Sequence, residues 1–134
     1  MRQTLDRPTW HIETRAVPPC DECRWGVLAA VDPVGRTGAV AHLYGPPTAR
    51  WVGFGLQFGA DRPPNDVIRQ LVLAAARLAA QAGAERLVVD LPPGGRVLRE
   101  VVEASGLAWH IVVTDESAWA DLVLGANVHH RRAP

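Results

Sequence analysis

From residue 51 to residue 58 the chain alternates. Val52, Phe54, Leu56 and Phe58 fall on one face, and Trp51, Gly53, Gly55 and Gln57 on the other, which predicts a strand over 50–58. Two glycines on one face of a strand signal a close neighbour, a bulge or a ligand. Before it, 10–16, 24–31 and 38–44 read as three further strands. Asp-Pro and two glycines in DPVGRTG supply turn chemistry, and GPPTA supplies the next turn. Short connections between strands two, three and four predict an antiparallel meander.

The period then changes. Val67, Ile68, Leu71, Val72, Ala75, Leu78, Ala79 and Ala82 recur at helical spacing over 65–82, with Arg69, Gln70, Arg77 and Gln81 opposite. Asn65 or Asp66 is expected to cap the start and Gly83 to close the end. ERLVVDL (85–91) is a nearly continuous apolar run, as in a strand covered on both faces. Residues 96–104 read as a second helix, and 108–114 and 118–125 as two last strands. The order is β-βββ-α-β-α-ββ, an α+β (mixed α/β) layout with one mixed sheet of about six or seven strands. The fourth strand and the strand after the helix should pair in parallel through a right-handed crossover. One domain is expected over 10–125, with flexible ends at 1–9 and 126–134.

The second half of that pattern carries a resemblance. The stretch RWVGFGLQFGADRPPNDVIRQLVLAAARLAAQAGAERLVVDLPPGGRVLREVVEASGLAW resembles the GNAT superfamily of N-acyltransferases: strand, phosphate loop, long helix ending in Ala-Gly, strand, short helix. The likeness covers roughly residues 24–125. It implies acetyl-CoA or another acyl-CoA along the fourth strand, at Leu56 and Phe58. It also implies a diphosphate over Gly59, Arg62, Asn65, Asp66 and Val67.

The loop departs from the family's pattern. Arg62 suits the first position, but Asn65 and Val67 stand where glycine or alanine is wanted, and any Cβ crowds a phosphate oxygen. Pro63 and Pro64 each remove an N–H donor. Asp66 adds a carboxylate that costs about 1 kcal/mol against an anion at ~4 Å in water. Gly95 and Val102 occupy the places of a frequent Asn and of a Tyr able to protonate the leaving thiolate. Only VPPCDEC separates the first two strands, where the family places two helices, so the acceptor side is shortened, open or completed by a second chain.

Other chemistry is sparse. Asp90, His42 and His110 are candidate general bases, set against ordinary roles as a turn residue and sheet residues. Cys20 and Cys23 form a lone CxxC: two loop thiols, half a zinc site, or a redox pair. Five Trp suit a core or an interface.

Fourteen Lys plus Arg, all of them Arg, balance fourteen Asp plus Glu. That composition resembles a GC-rich bacterial genome's. It gives no reason to expect nucleic acid or an anionic membrane, supplies no lysine nucleophile, and favours self-association. No run approaches the ~18 apolar residues of a membrane span. A cytoplasmic protein that forms a homodimer or meets a protein partner is the expectation. The sequence favours a catalytically weak or silent ligand-binding or dimerising GNAT-like module. A divergent acetyl-CoA-dependent N-acyltransferase is the first alternative, and a zinc or thiol module on Cys20 and Cys23 the second.

Overall fold

The alternating segments become one mixed sheet with a helix packed against one face. The structure is a computed structural model that describes residues 9–17, 24–45, 50–90, 102–103, 105–114 and 118–124. The strands are β1 (His11–Arg15), β2 (Arg24–Val31), β3 (Thr37–Tyr44), β4 (Trp51–Phe58), β5 (Arg86–Asp90), β6 (His110–Val113) and β7 (Ala118–Val123). Helix α1 (Asn65–Gln81) links β4 to β5. Sheet order is β1-β2-β3-β4-β5-β7-β6. The meander β1–β4 is antiparallel throughout, and β4 pairs with β5 in parallel, as the crossover helix requires. The final hairpin folds back so that β7, not β6, pairs with β5.

Register assigns the faces. Leu43 lies opposite Phe54, Ala41 opposite Leu56, and Val52 beside Leu87, which in turn lies opposite Leu122. This face receives α1: Ile68, Leu71, Val72, Ala75 and Ala79 are buried in one cluster with Leu43, Val52, Phe54, Leu87 and Leu122. The small alanines along α1 let the helix sit close to the sheet. Val102 and Leu107 join the same cluster, and Trp109 meets Phe54 with ring centroids 6.3 Å apart while donating Nε1–H to Ser105 Oγ at 3.0 Å. Apart from Val102 and Glu103, which are helical, the predicted second helix lies outside the described residues, as do Cys20 and Cys23 and the terminal segments. β1 and β6 begin later than expected: Trp10 and Trp109 precede them rather than lying in them.

The two ends of α1 differ. Gly83, at φ 98°, closes the C-terminus: its amide donates to Ala80 O at 3.0 Å and that of Ala84 to Ala79 O at 3.0 Å. This is the paired motif that a glycine beyond a helix end makes possible. At the other end the expected capping by Asn65 or Asp66 does not occur. Pro64 takes the cap position and no side chain bonds the first turn. Proline's fixed φ suits an extended residue there, and it has no N–H to satisfy.

Between β2 and β3, Asp32 Oδ1 accepts the amides of Arg36 at 2.8 Å and Val34 at 2.9 Å. The Arg36 amide, followed by that of Val34, holds the carboxyl below its ordinary value. The turn's support is therefore present above the usual carboxylate range and lost as pH falls through the lowered value.

Candidate functional site: the cleft where β4 and β5 part

Parallel pairing of β4 with β5 lasts for three residue pairs, Trp51–Arg86, Val52–Leu87 and Gly53–Val88. The start of this pairing is clamped: Glu85 N and Arg86 N both donate to Arg50 O, at 2.7 and 3.1 Å. Beyond Gly53 the strands separate. A cleft of about 470 Å³ opens there, lined by His42, Tyr44, Gly53, Phe54, Gly55, Leu56, Gln57, Val88 and Val89. Phe54, Leu56 and Val89 belong to the α1 face and the other six to the opposite face, so the cleft passes between the faces.

The glycine pair of β4 is explained by a neighbour. A Cβ on Gly55 would stand 3.0 Å from Tyr44 Cε2 and 3.4 Å from its hydroxyl oxygen, and one on Gly53 would stand 3.4 Å from Tyr44 Cβ. The Tyr44 ring thus lies along β4 over both glycines, with its hydroxyl near Gly55. Next to it, His42 is buried at 5% exposure. Arg24 Nη1 donates to His42 Nδ1 at 3.0 Å, which places the imidazole proton on Nε2, 3.2 Å from Gln57 Oε1. Both ring nitrogens are engaged in this arrangement, and His42 serves as a fixed wall of the cleft.

The other two candidate bases lie apart from it. His110, 74% exposed, stands on edge strand β6, beyond β7 from the cleft, with Nδ1 3.8 Å from Asp121 Oδ2. Asp90 ends β5 and pairs through its backbone with Trp119; its side chain lies outside the described residues.

The residues assigned to the acyl-CoA run from the cleft to α1. Leu56 lines the cleft. Phe58 carries the Arg62 guanidinium 5.1 Å above its ring. Gly59 is pressed on β3: its amide bonds Gly38 O at 2.9 Å, and a Cβ would stand 2.6 Å from Thr37 O. That contact fixes the path of the loop after β4. Pro63 is buried, whereas Arg62, Asn65 and Asp66 are exposed. Val67 points inward to the core, and its amide and that of Ile68 both donate to Pro64 O at 3.0 Å. Of the first helical turn, only the Asn65 and Asp66 amides keep no acceptor among the described residues. Two amides and the helix dipole thus favour an anion here, with the Asp66 carboxylate opposing them.

Sequence reasoning missed Tyr44 and Arg24. The two glycines were the signal for Tyr44. Arg24 gave none, because its partner is 18 residues away.

No family model matches the chain, and no curated protein sequence matches it. Solved structures do. A proposed acyl-CoA N-acyltransferase from Klebsiella pneumoniae superposes with a TM-score of 0.65 at 11% identity, covering 86% of this chain and 97% of that one. A variant of spermidine N-acetyltransferase SpeG from Vibrio cholerae gives 0.62 at 9% identity, covering 83% and 72%. A GNAT superfamily phosphinothricin acetyltransferase from Sinorhizobium meliloti, solved in complex with AcCoA, gives 0.59 at 10% identity, covering 77% and 63%. The chain therefore has the GNAT fold, a seven-stranded mixed sheet with α1 crossing from β4 to β5. Among the described residues no helix is long and apolar enough to cross a membrane, and no group of three or more His, Cys, Asp or Glu is placed to hold a metal.

Proposed function

We propose that this chain binds an acyl-CoA through its thioester end, in the cleft between β4 and β5, and is at most a weak N-acyltransferase. The observation that carries this reading is the mismatch between the two halves of the site. The cleft is open, mixed in polarity and large enough for a pantetheine arm. The diphosphate position has lost most of its donors, since Pro63 and Pro64 have no amides and those of Val67 and Ile68 are spent on Pro64 O. Beyond Gly53, β4 has no described partner on the β5 side, so its backbone is available to an extended ligand. Activity would come chiefly from holding amine and thioester together rather than from a dedicated base, because both nitrogens of His42 are already bonded.

Calorimetric titration with acetyl-CoA and with S-acetylpantetheine, which lacks the diphosphate, tests this directly. Both should bind, with constants within about tenfold of each other, a difference of about 1.4 kcal/mol. A preference for acetyl-CoA of a thousandfold would mean that the loop still grips phosphate. Silence of both ligands at millimolar concentration would remove the reading.

A second reading rests on the face away from α1, where Tyr44, Trp51 and Val123 are exposed on β3, β4 and β7. Such a row suits pairing with another copy or a protein partner. Light scattering that finds a monomer at high concentration would count against a homodimer.

A further inference from the structure

One side-chain row below the closed end of the cleft, on the face away from α1, Arg86 is held in an unusual way. Its Nη1 donates to Asp121 Oδ1 at 2.9 Å, and Asp121 is only 4% exposed. Its guanidinium lies 5.3 Å from the centroid of the Trp51 ring. A buried carboxylate fixes one edge of the plane and an indole fixes its tilt. Nε and Nη2 have no acceptor among the described residues, although the side chain is 37% exposed. The second oxygen of Asp121 faces His110 rather than Arg86. A fixed guanidinium with two free donors is a fork for a carboxylate.

Its surroundings narrow the ligand. Trp51 is 56% exposed, and Val123 and Tyr44 are exposed beside it, so the rim is apolar and aromatic. Trp51, Arg86 and Val123 are direct neighbours across β4, β5 and β7. Asp121 is the one described carboxylate on this side of the cleft, and Arg86 already neutralises it. A polycation finds no counter-charge here among the described residues. Gly53 and Val88, where the cleft begins, are two residues further along β4 and β5, about 7 Å away. The guanidinium reaches toward that row, because Asp121, which it bonds, lies directly opposite Val88.

We propose that Arg86 and Trp51 form the acceptor subsite, and that the acceptor is an α-amino acid with an apolar side chain. The carboxylate sits on Arg86 and the side chain on Trp51 and Val123, so the amine points into the cleft. Naming this ligand the acceptor rests on the acyl-CoA reading above. The amine nitrogen attacks the thioester carbonyl carbon, and the C–N bond forms as the C–S bond breaks. The nitrogen gives up one proton and the departing thiolate takes one, leaving an N-acyl amino acid and a free thiol.

The test titrates L-phenylalanine, L-phenylalaninamide and spermidine into the whole chain, free and saturated with CoA. The acid should bind at least about tenfold more tightly than its amide, and spermidine should not bind. Arg86→Lys keeps a charge beside Asp121 but loses the fork, and should abolish the preference with little change in Tm. Equal binding of acid and amide, or binding of neither, overturns the proposal while leaving acyl-CoA binding intact. A preference for the acid in a protein that binds neither acetyl-CoA nor S-acetylpantetheine overturns the acceptor assignment and the acyl-CoA reading together.

Discussion

The two faces of the central sheet have been built by different rules. On the face under α1, side chains are apolar, buried and interlocked: Leu43, Val52, Phe54, Leu87 and Leu122 meet Ile68, Leu71 and Val72 with almost no exposure. On the opposite face the same strands carry Trp51, Tyr44, His42, Gln57, Arg86 and Asp121, joined by long-range polar contacts. One face is organised by volume, where any vacancy costs stability. The other is organised by direction, where a hydroxyl, a guanidinium or a carboxylate must point one way. The second arrangement depends on the first, which holds the strands in place.

Damage to the packed face should have the largest effect. Leu71→Ala should cost about 2–5 kcal/mol, the range for a fully buried leucine whose site cannot collapse. Urea denaturation measures it. If the loss were below about 1 kcal/mol, α1 would not be the element that stabilises the sheet.

Asp121→Ala attacks the one deeply buried carboxylate among the described residues of the open face. It leaves Arg86 without its anchor, but Arg86 is exposed enough to find water, so the cost should be about 1–3 kcal/mol, below that of a fully buried pair. The same variant should weaken carboxylate binding at Arg86 more than it weakens acyl-CoA binding. Equal loss of both would mean that the whole face had shifted.

The packed face was largely legible in the sequence, and the open face was not. Alternation over 51–58 and helical spacing over 65–82 report local geometry, which each residue carries with it. They therefore predicted the faces of β4, the crossover and the glycine after α1. The parallel partner of β4 followed from the length of the connection. By contrast, Arg86 and Asp121 are 35 residues apart, and Arg24 and His42 are 18 apart. Which side chains meet depends on strand order and register, and no local pattern announces that β7 lies between β5 and β6. The start of α1 misled for a related reason. Asn65 and Asp66 have capping chemistry, but Pro64 fits the extended cap backbone better and shifts them into the helix.

Gly55→Ala probes the wall of the cleft. Its Cβ would sit 3.0 Å from the Tyr44 ring, a side chain that can give by a few tenths of an ångström. The lost contact is offset by the lower entropy of the unfolded chain, so stability should change by less than about 1 kcal/mol. The displaced ring must move within the cleft, and S-acetylpantetheine should bind several-fold more weakly. On the packed face a change with so small an effect on Tm would leave nothing to detect. Here calorimetry detects it, and an unchanged affinity would show that Tyr44 is not a wall of the ligand site.

The smallest effect expected is at the edge where the faces meet, at the bare start of α1. Asp66 is exposed in the first turn, near the two amides that remain for an anion. Its charge favours the helix through the dipole and disfavours a diphosphate through repulsion, each by about 0.3–1 kcal/mol. Asp66→Asn separates the two. The Tm should fall slightly as the helix loses a favourable charge, while acetyl-CoA should bind about two- to fivefold more tightly. S-acetylpantetheine provides the control, since it carries no phosphate and its affinity should not move. If acetyl-CoA binding were instead weakened, the Asp66 side chain would be helping to hold the ligand. The loop would then have to be understood as a different kind of binding surface from the one proposed.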